Sequence, residues 1–124
     1  MIFRDGRLLI SKRKLSSHLG GLWEFPGGKL EAGETFQAAL MREIREELGT
    51  EIAIDQLIST VEHSYPEKTV LIRFYKCQCV GEEPTALDCE ALKWVAPKQL
   101  RDHSFPKADD QILDELVTQI ELWV

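Results

Sequence analysis

The sequence predicts a single α+β domain, residues 1–124, with a mixed central β-sheet between helical layers. Three observations predict it. Short extended segments bounded by Gly and Pro recur along the chain. Two longer segments, Thr35 to Leu48 and Asp110 to Trp123, carry helical periodicity. The first of these falls between strands, as a crossover does, so helices are expected on both faces of the sheet.

Gly6 to Arg13 reads as a strand leaving a turn at Asp5-Gly6. Ser16 to Gly21 is a loop, and Leu22 to Phe25 a short extended piece stopped by Pro26-Gly27-Gly28. Lys29 to Glu34 is a loop turning at Ala32-Gly33. Thr35 then supplies an N-cap and Gly49 a C′ residue, and Phe36, Leu40, Ile44 and Leu48 form one apolar stripe beside Ala39. Ile52 to His63 and Thr69 to Val80 read as two strands about a turn containing Pro66. After a turn at Gly81 to Pro84, Leu92 to Val95 is a short strand, and Asp110 to Trp123 a closing amphipathic helix.

Composition narrows the function. Of 124 residues, 15 are Lys or Arg and 21 Asp or Glu, a net charge of −6, with 44% hydrophobic. That is an ordinary globular composition. The acidic balance argues against non-specific nucleic-acid binding, which needs basic surface. No apolar run approaches the ~18 residues of a membrane span, and Met1 to Gly6 lacks a signal-peptide layout. Cys77, Cys79 and Cys89 are an odd number, expected as reduced thiols in a cytoplasmic protein. Cys77 and Cys79 alternate with polar residues and are expected on one strand face.

The informative helix carries Arg42, Glu43, Glu46 and Glu47. Residues 43 and 47 lie one turn apart on the same face, with 46 close by. Like charges so placed destabilise an isolated helix by roughly 0.2–0.5 kcal/mol a pair, and the C-terminal half of a helix disfavours anions. A hard divalent cation removes the conflict, since Mg²⁺ takes carboxylate, water and phosphate oxygens. Arg42 can hold one carboxylate by its fork, and Gly27-Gly28 lets backbone carbonyls approach a metal. The full spacing is Gly28, five residues, Glu34, seven residues, Arg42-Glu43, an aliphatic residue, one residue, Glu46-Glu47, one residue and Gly49.

That spacing resembles the signature box of the Nudix hydrolases. Gly21 to Lys29, GLWEFPGGK, resembles the MutT-type branch, and so do Ser11-Lys12-Arg13, Tyr65 to Lys68, Trp94-Val95 and Phe105 to Asp109. The resemblance implies a Nudix-type α/β/α sandwich. It implies Mg²⁺-dependent hydrolysis, with Mn²⁺ able to substitute, of a nucleoside triphosphate to a nucleoside monophosphate and pyrophosphate. Metal ions there neutralise the polyphosphate, orient it and help make hydroxide from water. Position by position, Glu43 and Glu47 are implied as metal ligands and Gly27 as a backbone-carbonyl ligand. Glu46 is implied as a further ligand or as the group positioning the attacking water, and Glu34 and Arg42 as residues locking the helix carboxylates. Asp88, six residues before Trp94, is a candidate extra ligand or general base, a role Glu90 could take instead.

Arg13 and His18 match positions lining the nucleotide site. Phe25 is expected in the core with one edge at the base pocket, and Tyr65 and Lys68 lie on a turn placed to cover the nucleotide. Asp109 bears on specificity, because an ionised carboxylate only accepts hydrogen bonds. It suits the N1–H and amine of a guanine, or the amine of a cytosine, and it also stands where it can N-cap the last helix. Two features depart from the branch. Thr50 takes a box position that is normally aliphatic, and the chain begins late in what is usually the first strand, which is expected to be truncated.

The expected role is sanitation of oxidised nucleotides such as 8-oxo-dGTP, with cytidine nucleotides second and ADP-ribose or a dinucleoside polyphosphate third. A nucleoside triphosphate is the expected partner, with no stable nucleic-acid partner, no membrane, and a monomer or homodimer. The alternative of another class is an 8-oxoguanine-binding module like the C-terminal domain of adenine DNA glycosylases. Such modules generally lack the glutamate box that this chain retains.

Overall fold

The computed structural model describes residues 1–124. Strand β1 (Phe3–Arg4) turns at Asp5-Gly6 into β2 (Arg7–Lys12). Both turn residues have positive φ, 52° and 75°, the backbone that matches the twist of a two-residue hairpin. Strand β3 (Trp23–Glu24) pairs with the far end of β2, Ser11 opposite Glu24 and Lys12 opposite Trp23. On the other edge of β2 lies β6 (Ala91–Val95), antiparallel from Leu8↔Val95 to Lys12↔Ala91. Strands β4 (Ile52–Ser64) and β5 (Thr69–Cys79) form a long antiparallel hairpin with register shifts at Ile54/Gln56 and Leu57/Ser59.

The two sheets meet through the first residues. Ile2 bridges Cys77 in parallel, the Cys77 N–H donates to the Met1 carbonyl at 2.8 Å, and the Leu9 N–H to the Ile2 carbonyl at 2.9 Å. Residues 1–4 thus lie between β2 and β5, and the mixed character of the sheet resides in that one parallel bridge.

Helix α1 (Phe36–Leu48) is delimited as its caps predict. Thr35 Oγ1 accepts from the Ala38 N–H at 3.1 Å, and Gly49 closes the helix at φ 63°. Ile44 and Leu48 pack with Leu9 and Cys77 on one face of the sheet, Cys79 beside them. On the opposite face, Leu8 and Ile10 pack with Val95, Leu100 and the residues Ile112, Leu113 and Leu116 of α2 (Asp110–Thr118). Strand β2 is therefore covered on both sides. Burying each of Leu8, Leu9 and Ile10, all at most 1% exposed, contributes roughly 1.5–3 kcal/mol.

The last helix is shorter than its periodicity predicts. It stops at Thr118, Gln119 leaves helical geometry (φ −94°, ψ 67°), and Ile120–Trp123 form a 3₁₀ turn. Two interactions end it. Thr118 Oγ1 turns back to the Asp114 and Glu115 carbonyls, and the Trp123 indole donates to the Leu116 carbonyl at 2.9 Å. That fold-back seats Trp123 edge-on against Phe3 at 5.5 Å. A further 3₁₀ segment, Pro97–Asp102, buries Leu100, and Gln99 Oε1 accepts from the Ala96 N–H at its start. The three cysteines are free thiols, and no helix is long and apolar enough to cross a membrane.

Candidate active site

Arg42 organises the acidic turn of α1. Its guanidinium grips Glu34 through Nε at 2.7 Å and a second nitrogen at 3.0 Å. It also donates to Glu43 at 2.8 Å, to Glu46 at 3.2 Å and to the Lys29 carbonyl at 3.0 Å. One side chain thus ties the 29–34 loop to the helix. The pairing holds the Glu34 carboxyl below its ordinary range, and the Glu31 N–H, donating at 2.8 Å, adds to the effect.

Glu43 and Glu47 come together as their spacing predicts. Burial, then a hydrogen bond to Glu43, then the charges of Glu43 and Glu24, push the Glu47 carboxyl up to about 8, against the Gly27 N–H. Burial beside a second acid thus favours the protonated form of Glu47. The carboxylate of Glu43 lies against the Cα of Gly28, in the space a Cβ would take. Gly27 holds φ 155° beside it.

The remaining acids stand apart. Glu46 is on the exposed side of the helix, held only by Arg42. Asp88 is anchored through its backbone, whose N–H donates to the Glu47 carbonyl at 3.2 Å, while its carboxylate pairs with Lys14 at 2.8 Å. Lys14 draws that carboxyl below its usual range. Glu90 is fixed through its N–H to the Lys12 carbonyl at 2.8 Å. No three His, Cys, Asp or Glu side chains converge on one point. The Glu43 and Glu47 carboxylates and the neighbouring Gly27 backbone nonetheless offer hard oxygen donors of the kind a divalent cation takes, in a cradle left open by the missing Cβ of Gly28.

Among the nucleotide-site candidates, Arg13 donates to the His18 carbonyl and to Glu24, both at 2.7 Å. His18 contributes its backbone, and its ring is exposed. Phe25 stacks on Phe105 at 5.2 Å and meets Phe74 edge-on at 6.0 Å. It packs on the α2-side core and lines a cavity of about 630 Å³ shared with Gly27, Phe36, Lys68 and Phe74. Tyr65 is exposed at the hairpin turn, its ring against His63 at 4.6 Å, outside that cavity.

Asp109 immediately precedes α2 but caps no backbone N–H through its side chain, because its own backbone already lies in helical φ/ψ. Its half-buried carboxyl is raised by burial, then by Glu24, then by Asp110. Glu24 is the residue that sequence reasoning passed over. Its charge bears on Glu47, on Asp109 and on the half-buried Cys89 thiol. The signal was alternation, since Trp23 and Phe25 face the α2-side core and leave Glu24 on the α1 side of β3.

A Gly28→Ala variant is expected to fold, because the obstructing atoms are the mobile end of Glu43, and to lose activity at least tenfold as that carboxylate is displaced. Thermal denaturation beside initial rates checks this, and an unchanged rate counts against the cradle.

A family model described as a NUDIX domain matches residues 1–115. The chain is 43% identical over 72 residues to an 8-oxo-dGTP diphosphatase of Proteus vulgaris, covering 58% of this chain and 64% of that protein, less than two thirds of its length. It is 31% identical over 114 residues to a CTP pyrophosphohydrolase of Escherichia coli strain K12, covering 92% of this chain and 84% of that protein. Among solved structures, the DNA mismatch repair protein MutT of methicillin-resistant Staphylococcus aureus 252 superposes with a TM-score of 0.74 at 34% identity, covering 95% of this chain and 91% of that one.

Proposed function

On the premise that this chain belongs to the NUDIX family, in its MutT-like branch, as a hydrolase acting on phosphoanhydride bonds, we propose that it cleaves 8-oxo-dGTP to the monophosphate and pyrophosphate. The role that follows is sanitation of the cytoplasmic nucleotide pool. The observation that carries the reading is the Glu43–Glu47 pair, two carboxylates in hydrogen-bond contact with Arg42 and Gly28 packed around them. Mg²⁺, with Mn²⁺ as a substitute, would be held by Glu43, Glu47 and the Gly27 carbonyl. Glu46, on the same helical turn, and Asp88, whose backbone N–H meets the Glu47 carbonyl, would assist once released from Arg42 and Lys14. Bound there, the cation would neutralise the polyphosphate and acidify a water molecule.

The protein's own groups do the rest. Arg42 and Glu34 hold the loop and helix in register. Arg13 offers a guanidinium fork suited to a phosphate once it leaves Glu24. Phe25 presents an aromatic face at the cavity for a base. Asp109, free of any capping bond, reads the base edge. Ionised, it accepts from the N1–H and amine of a guanine.

A cytidine triphosphate is the second reading, favoured by the raised Asp109 carboxyl. Protonated, that group donates to cytosine N3 and accepts from the N4 amine. The two readings have opposite pH dependence, since guanine use rises and cytidine use falls as pH climbs through the Asp109 ionisation. Pyrophosphate release with Mg²⁺ across normal and oxidised nucleotides decides the matter. If 8-oxo-dGTP turns over no faster than dGTP and more slowly than CTP or dCTP, the first substrate is wrong.

Asp109→Ala is expected to lower kcat/KM for the preferred nucleotide about 10–100-fold, the usual cost of deleting a hydrogen bond to a charged group, and to affect other nucleotides much less. The melting temperature should stay near that of the parent, because no helix cap is removed. A large thermal loss with unchanged selectivity would return Asp109 to a structural role.

A further inference from the structure

Ser11 is 1% exposed, and its hydroxyl has no hydrogen-bond partner within the protein. It stands on β2, the strand covered by helices on both faces, where its neighbours Leu8, Leu9 and Ile10 are apolar. Alanine would occupy the same space without burying a polar atom that nothing satisfies.

The register fixes where the hydroxyl faces. Leu8 and Ile10 point to the α2 side and Leu9 to the α1 side, so Ser11, two residues beyond Leu9, points toward α1. Its cross-strand partners agree. Glu24 lies opposite on β3 and Leu92 on β6, and Leu92 packs in the α1-side cluster with Ile44 and Leu48. Glu24 in turn is close enough for its charge to act on Glu47. The hydroxyl therefore lies on the floor of the sheet that α1 covers, the helix carrying the Glu43 and Glu47 carboxylates.

We propose that Ser11 is a positioning residue for the carboxylate site, its buried hydroxyl donating into the floor so as to orient Glu47 when a divalent cation is held there. This rests on the reading that Glu43 and Glu47 take that cation. Such supporting hydrogen bonds usually govern metal affinity or activity by about 10–100-fold. Ser11 touches neither substrate nor reacting atoms, so it acts only through Glu47.

The test uses the full chain stripped of metal with a chelator, and Mn²⁺ alone as the probe. Ser11→Ala is expected to bind Mn²⁺ about tenfold more weakly, by calorimetry or electron paramagnetic resonance, and to lower kcat about tenfold with KM little changed. Its melting temperature should equal the parent's or rise by about 1–4 °C, since an unsatisfied hydroxyl is removed. Ser11→Thr, which keeps the hydroxyl, should bind Mn²⁺ within about threefold of the parent. Parental Mn²⁺ affinity in Ser11→Ala overturns the inference, whatever the melting temperature does. A parent protein that takes up no Mn²⁺ overturns both this inference and the functional reading. Serine-dependent Mn²⁺ uptake in a protein that hydrolyses none of the nucleotides overturns the functional reading alone.

Discussion

Glu47→Gln is expected to lower kcat on the order of 10³-fold while nucleotide binding persists. The amide keeps the shape of the side chain but not the charge that a cation requires. The same substitution should change how stability depends on pH. The Glu47 carboxyl holds its proton up to about 8 in the folded chain, against an ordinary value of 4.5. Between those limits the folded state binds more protons than the unfolded state, so stability without metal is greatest below 4.5 and declines as pH rises through about 8. With solvent screening, the decline should amount to about 2 kcal/mol. Gln removes it, so the variant should melt above the parent at pH 8 in chelator. Denaturant titrations at pH 5, 6.5 and 8 measure the slope. A variant retaining a tenth of the parental kcat would remove Glu47 from the chemistry.

The second large effect belongs to Arg42→Lys, which keeps the charge and discards the fork. Arg42 donates at once to Glu34, Glu43, Glu46 and the Lys29 carbonyl. An ammonium is a point charge that cannot reproduce the two parallel bonds to Glu34. The 29–34 loop should loosen and Glu43 lose its fixed orientation, lowering kcat about 100-fold, with a reduced melting temperature. Limited proteolysis of the loop, run beside initial rates, separates the two consequences. Rates within threefold of the parent and an intact loop would show that charge alone suffices at this position.

What could be read from the sequence was mostly local. Helix α1 was legible because its caps and stripe act within a few residues, Thr35 on Ala38 and Gly49 at positive φ. The hairpin at Asp5-Gly6 was legible for the same reason. The end of α2 was not, since what stops it is an indole returning from Trp123 to Leu116. Asp109 looked like an N-cap because its residue type fits, yet its own backbone is helical and the carboxylate caps nothing. Within the site, the Arg42–Glu34–Glu43 tie follows from spacing along one helix and loop. Glu24 and Ser11 gain their setting from strand register, which appears only when β2, β3 and α1 are assembled.

Strand β2 serves as the wall common to both apolar interiors, Leu8 and Ile10 on one side and Leu9 on the other. Neither interior can come apart without stripping that wall, so the molecule should melt as one cooperative unit rather than shed a layer. The reactive machinery is divided across the same wall's reach, with Glu24 on a neighbouring strand and Glu43 and Glu47 on the covering helix. Activity should therefore be lost along with either interior, since the strand bearing Glu24 and the helix bearing Glu43 and Glu47 are held together only while both are packed.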